Sequence, residues 1–278
     1  MTSRGISRST LLALWGVFLA LPVAATMLYS VATVWRGRAL PDGFTVHWWV
    51  QTLSEPRVVA ALLRSTWLAT LTVLIVAAVV LPALYWGYIR NPRIRTTMQV
   101  CALLPFALPF VVLAYGIKRL AGATEVTQPW EASPLLVVLG HVALAFPFFL
   151  WPVDGAMAAA GVRNLSEAAE TSGASPLSTL FRVVIPNIRT GILTGAILTF
   201  ATSFGEYSIA RVITGSSFET LPVWQVAALQ DNRGNPNGVA VMAMFTFVLM
   251  FVVSVLIART GRGEPVRLLP GINTTQKR

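Results

Sequence analysis

A chain of 278 residues with 55% hydrophobic and only 12% charged residues falls well short of the roughly one-quarter charged content of soluble domains. That excludes a soluble globular protein and points to an integral membrane protein. The formal charge of +10, from 21 basic and 11 acidic side chains, would suggest nucleic acid in a soluble chain. Here the basic residues flank apolar runs, which is the pattern of headgroup contact and membrane topology, so no nucleic-acid partner is expected and membrane lipid is. The single cysteine, Cys101, has no partner for an intrachain disulfide.

A crossing helix needs about 20 mostly apolar residues, and charges punctuate six candidates in chain order. The first, "LLALWGVFLALPVAATMLYSVATVW", follows Arg8 and precedes Arg36. Its uncharged length exceeds a signal-peptide core of about 7–15 residues, so it is expected to be retained as a helix. The external loop behind it is rich in Trp, and its second half is expected to lie at the interface. The second run, "STWLATLTVLIVAAVVLPALYWGYI", lies between Arg64 and Arg90, and the third, "TTMQVCALLPFALPFVVLAYGI", between Arg95 and Lys118. The fourth, "SPLLVVLGHVALAFPFFLWPV", ends before Asp154; the fifth begins near Gly191; the sixth, "GVAVMAMFTFVLMFVVSVLIA", ends before Arg259. With the amino terminus inside, 13 of the 21 basic residues fall in cytoplasmic segments and 8 outside, which favours both termini in the cytoplasm.

The cytoplasmic segment after the fourth run reads as two short helices. Asn164 is expected to cap the first, with Glu167 completing a capping-box pair. Gly173 suits the left-handed position that ends it, and Ser175 with Pro176 restarts the chain as cap and first helical residue. Leu177, Leu180, Phe181 and Val184 then recur at helical spacing until Pro186 stops the run. The bland reading is an amphipathic linker folded on its own bundle; the sharper one is a knob offered to a soluble partner.

Ionisable residues inside a membrane are expensive and face protein or water. Glu206 falls 15 residues beyond Gly191, about 22 Å of helix, in the outer half of the fifth run. Two readings stand: a hydrogen-bonded glutamate at a helix break, or a carboxylate on the solute path, with Ser203, Tyr207 and Ser208 adding hydrogen bonds. Arg211, five residues on, is badly spaced to pair with it. His141 in the fourth run reads as a packed donor or as a path residue. Pro105, Pro109, Pro147 and Pro152 are expected to break or kink the third and fourth helices. No metal-ligating constellation is visible, since the only histidines are His47 and His141. No phosphate loop, HExxH or GxSxG sequence occurs and no nucleophile–base pair emerges, so no enzymatic role and no cofactor are expected. Energy must come from another polypeptide or from an ion gradient.

The stretch "EAAETSG", nine residues, then "VVIP" resembles the EAA motif of permease subunits in binding-protein-dependent ABC importers. The family pattern is Glu-Ala-Ala, three residues, Gly, nine residues, an aliphatic residue, one more, then Leu-Pro. Glu167, Ala168, Ala169, Gly173, Val183 and Pro186 match it, and Ile185 stands where Leu is usual. "ALLRSTWLAT" and "TLPVWQ" extend the resemblance from about Ala60 to Ile257. It implies an all-α polytopic fold of type I with six transmembrane helices and a cytoplasmic coupling helix at Glu167, Ala168, Ala169, Gly173 and Pro186 that docks on an ATPase subunit. It also implies a cell inner or plasma membrane location, a second permease subunit, two ABC ATPase subunits that bind the ATP, and an extracytoplasmic solute-binding protein. Domain divisions follow: 1–59 for the first helix and external loop, 60–260 for the permease core, 261–278 for a cytoplasmic tail. The segment around Glu206 resembles the polyamine, phosphonate, iron and sulfate-type permeases, with Glu206, Tyr207, Ser203 and His141 as candidate path residues. Glu206 would suit a cationic solute such as a polyamine. The competing class is an ion-coupled secondary transporter, whose folds show inverted repeats that are not visible here.

Overall fold

The computed structural model describes residues 8–35, 40–230 and 236–260. The expected tail 261–278 and the loop residues Arg36, Arg38 and Arg233 lie outside them. Helices run in the order α1 Arg8–Val31, α2 His47–Ser54, α3 Pro56–Ile89, α4 Pro92–Cys101, α5 Leu104–Ala107, α6 Phe110–Ala121 and α7 Pro134–Ala159. They continue with α8 Val162–Thr171, α9 Pro176–Thr179, α10 Ile185–Asn187, α11 Arg189–Phe204, α12 Ser208–Thr214, α13 Leu221–Gln230 and α14 Pro236–Thr260. A wide π-turn, Leu180–Val184, joins α9 to α10. Because the bilayer core cannot satisfy free backbone groups, helices are the form such apolar runs must take.

Helices α1, α3 and α7 are each long and apolar enough to cross a membrane unbroken. Two helix pairs are apolar enough to count as one further span each only when taken together, and both are sharply bent: Pro92–Ala107 with Phe110–Ala121 at 105°, and Pro176–Asn187 with Arg189–Phe204 at 80°. A shorter apolar stretch, Pro236–Val252, opens α14.

The chain divides into two compact units. The first comprises Met1–Ala61 and Trp224–Val253. Inside it the turn after α1 is pinned by backbone and side chain together: Asn237 Nδ2 donates to the carbonyls of Tyr29 at 2.8 Å and Ala32 at 3.1 Å. Trp48 Nε1 donates to Ala32 as well, at 2.9 Å, and Tyr29 stacks on Trp35. Between α1 and α3, among the described residues, His47–Ser54 forms a separate helix. From Pro56 onward the chain is already in α3, because proline at the start of a helix costs no hydrogen bond.

The described part of the second unit, 62–223 with 254–260, holds two buried apolar clusters. One gathers Tyr85, Met98, Phe149, Val153, Met157, Val162, Leu180, Val184 and Ile188, and so welds the segment after α7 to the ends of α3, α4 and α7. The other gathers Leu68, Ala114, Val137, Leu144, Ile209 and Ile213 around α12.

The prolines behave unequally. Pro105 lies in α5 and Pro109 caps α6, so the third apolar run breaks at these prolines. Pro147 and Pro152 sit inside an uninterrupted α7 that runs past Asp154 to Ala159. Helix α11 packs tightly against it there: a Cβ placed on Gly191 of α11 would sit 2.8 Å from the Pro152 carbonyl oxygen, and one on Gly195 only 3.1 Å from that of Phe149. Gly191 and Gly195 form a G-x-x-x-G face that brings the two backbones together.

Candidate functional site

The segment between α7 and α11 is built from three turning points. Gly161 takes φ 61°, a left-handed conformation that glycine adopts freely, and turns the chain directly into α8. The expected Asn164 cap is therefore displaced: Asn164 lies within the first turn, and Glu167 pairs instead with Arg163 one turn back, at 3.0 Å. Gly173, at φ 81°, ends α8 in the left-handed conformation the sequence required. Ser175 accepts the amide of Ser178 at 3.3 Å and Pro176 opens α9. Pro186 does not stop the run. It lies in the first turn of α10, and the chain bends two residues later, at Ile188, where α11 begins.

This segment has two unlike faces. Val162, Ser166, Leu180, Val184 and Ile188 are buried against the core, with Ser166 Oγ returned to the Val162 carbonyl at 2.8 Å. Glu167, Ala168, Gly173 and Pro186 are exposed, and Ala169 is half-buried. The apolar stripe expected at Leu177, Leu180, Phe181 and Val184 is split. Leu180 and Val184 go inward, whereas Leu177 and Phe181 stand 66% and 61% exposed. The split falls across the π-turn Leu180–Val184, whose first and last residues both face inward. Beside this face a polar hollow is lined by Arg90, Arg163, Ser166, Glu167 and Glu170, and Arg90 lies 3.9 Å from Glu170.

The second set of expected residues is brought together in the other half of the unit. Helix α11 ends at Phe204, and Glu206 fills the gap before α12. Its Oε1 accepts the amide of Ser208 at 2.7 Å; its Oε2 accepts those of Ile209 at 2.8 Å and Ala210 at 3.3 Å. A carboxylate so placed satisfies the free amides and the positive end of the short helix α12. His141 of α7 faces it, with Nε2 3.4 Å from Oε2 and outside hydrogen-bond geometry. His141 Nδ1 shares a 2.7 Å hydrogen bond with Ser203 Oγ, which in turn reaches Thr72 of α3 at 3.3 Å. His141 and Glu206 are 1% and 7% exposed. Tyr207 is half-buried and packs on the apolar cluster around α12.

Sequence reasoning passed over a third polar group, Asp154, by treating it as the end of the fourth crossing. It lies inside α7 and is buried. Arg95 donates to it through Nε at 2.7 Å and Nη2 at 2.9 Å, Tyr88 through its hydroxyl at 2.8 Å and Gln99 through Nε2 at 2.8 Å. The available signal was a lone carboxylate inside an otherwise apolar helix. Among the described residues no three metal-ligating side chains gather.

Residues 80–263, about two thirds of the chain, match the family described as "Binding-protein-dependent transport system inner membrane component". The chain is 32% identical over 168 residues to the molybdenum transport system permease protein ModB of Azotobacter vinelandii, covering 56% of this chain and 73% of that one. It is 26% identical over 259 residues to the putative 2-aminoethylphosphonate transport system permease protein PhnV of Salmonella typhimurium, covering 88% and 92%. It is 28% identical over 194 residues to the sulfate transport system permease protein CysW of Synechocystis, covering 65% and 70%. In fold it is similar to a chain in the crystal structure of a bacterial ABC transporter involved in the import of the acidic polysaccharide alginate. There the TM-score is 0.70 at 17% identity, over 94% of this chain and 99% of that one.

Proposed function

The chain belongs to the family of inner membrane components of binding-protein-dependent transport systems, the permease subunits of ABC importers, and from that premise we propose how it works and what it carries. Segment 161–188 is the coupling element, held rigidly to the bundle by its inner face and offered to a cytoplasmic ATPase subunit by its outer one. The observation that carries this is the split stripe: Leu180 and Val184 are locked in the core while Leu177 and Phe181 stand in the open beside Glu167 and Ala168. Large apolar side chains exposed on a short helical element are the anchors that a groove on a partner receives. Closure of two ATPase subunits on ATP draws this segment inward and tilts α7 and α11, which flank it.

Six crossings, with α14 as the sixth and both termini in the cytoplasm, put the segment on the ATPase side. The subunit works as one half of a pair with an identical or similar permease in the inner membrane, and receives solute from an extracytoplasmic binding protein.

For the solute we propose a small oxyanion or phosphonate, in line with relatives named for molybdenum, sulfate and 2-aminoethylphosphonate transport. The polyamine reading rested on the negative charge of Glu206. That carboxylate is already taken by three amides at the start of α12, which leaves little to offer a cation.

Uptake into vesicles carrying the complete importer, with molybdate, sulfate, 2-aminoethylphosphonate and putrescine as separate substrates, tests both parts. ATP-dependent uptake of one of the three anions is expected. Uptake of putrescine would contradict the solute, and uptake driven by a proton gradient without ATP would contradict the mechanism in favour of an ion-coupled carrier.

A further inference from the structure

Asp154 sits seven residues before Gly161, about 10 Å of helix from the coupling segment. Each of its oxygens accepts two hydrogen bonds: Oδ1 from Arg95 Nε and the Tyr88 hydroxyl, Oδ2 from Arg95 Nη2 and Gln99 Nε2. Those four donors use its in-plane acceptor capacity. Two of the bonds form the parallel fork that fixes a guanidinium in both distance and plane. The Arg95 guanidinium also lies over the Tyr88 ring, 4.9 Å from its centre. One turn earlier on α7, Trp151 Nε1 donates to Gln99 Oε1 at 3.2 Å, so α4 is fastened to α7 at two levels. Gly87 permits the approach of α4 to α3, since a Cβ there would stand 3.1 Å from the Arg95 amide nitrogen.

We propose that Asp154 is a positioning residue for transport: it makes α4 and the end of α3 move as one body with α7 and the coupling segment, delivering the ATPase stroke to the broken third crossing. The inference rests on the coupling role proposed above for segment 161–188. Helix α4 opens the crossing that bends by 105° before α6, so a displacement at α4 swings a lever. An apolar contact alone would let α4 slide on α7. A bidentate ion pair with two further hydrogen bonds holds one register, and a helix shift of about 1–2 Å breaks it.

The test uses the complete importer in vesicles, with Cys101→Ser and cysteines introduced at the exposed positions Thr97 on α4 and Asn164 at the start of the coupling segment, each carrying a spin label and neither an anchor for the ATPase. The Thr97–Asn164 separation is measured without nucleotide and with ATP plus vanadate. A second pair, Asn164 to a label on the ATPase subunit, reports docking and closure. With Asp154 intact, the Thr97–Asn164 distance is expected to stay constant while the docking pair responds to nucleotide. In Asp154→Asn and in Arg95→Met the first distance should broaden and shift by about 2 Å or more on nucleotide addition, with the docking pair still responding. Arg95→Lys, which keeps the charge but loses the fork, should fall between. Arg95 is partly exposed, so Arg95→Met gives a decisive reading if Asp154→Asn does not accumulate. Variants that keep the intact distance in both states overturn the role of Asp154 while leaving the coupling reading standing. A docking pair that never responds, even with Asp154 intact, overturns both.

Discussion

Gly195 of α11 lies against the backbone of Phe149 in α7, close enough that a Cβ on it would stand 3.1 Å from the Phe149 carbonyl oxygen and 3.2 Å from its Cα. One turn below, Gly191 meets Pro152 in the same way. The atoms in the way include the Phe149 and Pro152 backbone and the Ala156 Cβ, none of which can swing aside as a side-chain tip can. Gly195→Leu is therefore expected to destabilise the subunit by about 3 kcal/mol, at the upper end for overpacking a tight interface. Leu at Gly155, where an added Cβ meets nothing within 4 Å, serves as the control. Thermal denaturation of the detergent-solubilised subunit followed by size-exclusion fluorescence distinguishes the two; equal melting would contradict the close packing.

Removing the Glu206 carboxylate strands the amides of Ser208, Ile209 and Ala210 in a buried site. An unpaired buried amide costs about 1–3 kcal/mol, so Glu206→Ala is expected to lose roughly 3 kcal/mol of stability in all. Glu206→Gln keeps one acceptor oxygen but turns its NH2 toward the other amide donors, and should retain only part of it. Because the carboxylate faces α12, the KM for the transported anion in the Gln variant should match the unaltered protein. A KM tenfold higher at unchanged stability would place Glu206 on the solute path.

Gly173 has open space around its missing Cβ, so only the backbone resists substitution. At φ 81° a β-branched residue is strained by roughly 1–2 kcal/mol. Gly173→Val should redirect the chain between α8 and α9, lowering ATP-driven uptake strongly with the amount of subunit in the membrane unchanged. Gly173→Asn, which tolerates the left-handed conformation, should keep most of the uptake. Indifference of uptake to the Val substitution would remove Gly173 from the coupling element.

Much of this was legible in the residues because it depends on local rules. The apolar runs, Gly173 as a helix end, and Ser175 with Pro176 as a helix start follow from periodicity and from the backbone freedom of single residue types. What was not legible depends on neighbours distant in sequence. The inward placing of Leu180 and Val184 at the ends of the π-turn, with Phe181 outward, goes with packing of Val184 and Ile188 into a core shared with α3 and α7. Pro147 and Pro152 lie inside α7 without ending it, while Gly191 and Gly195 let α11 pack directly against the turns at Pro152 and Phe149. Glu206 could be read as helix cap or as path residue from the sequence alone; only the position of α12's first amides brings the carboxylate's acceptors and donors together. The Asn164 cap failed because Gly161, three residues earlier, offered a sharper turn that buries Val162.

The central claim is that segment 161–188 presents Leu177 and Phe181 to a cytoplasmic ATPase. Phe181→Asp should leave the subunit's own stability within about 0.5 kcal/mol, as for other exposed positions. It should weaken capture of the ATPase by about 2 kcal/mol, roughly thirtyfold, the scale of an interface anchor. The most direct measurement is photo-cross-linking from a photoreactive amino acid at position 177 in intact membranes, with the same group at the exposed membrane position Leu139 as control. An adduct with the ATPase subunit from position 177 and none from 139 is the predicted result. No adduct from 177, or labelling of that position by a membrane-impermeant reagent applied from outside the cell, would contradict the account.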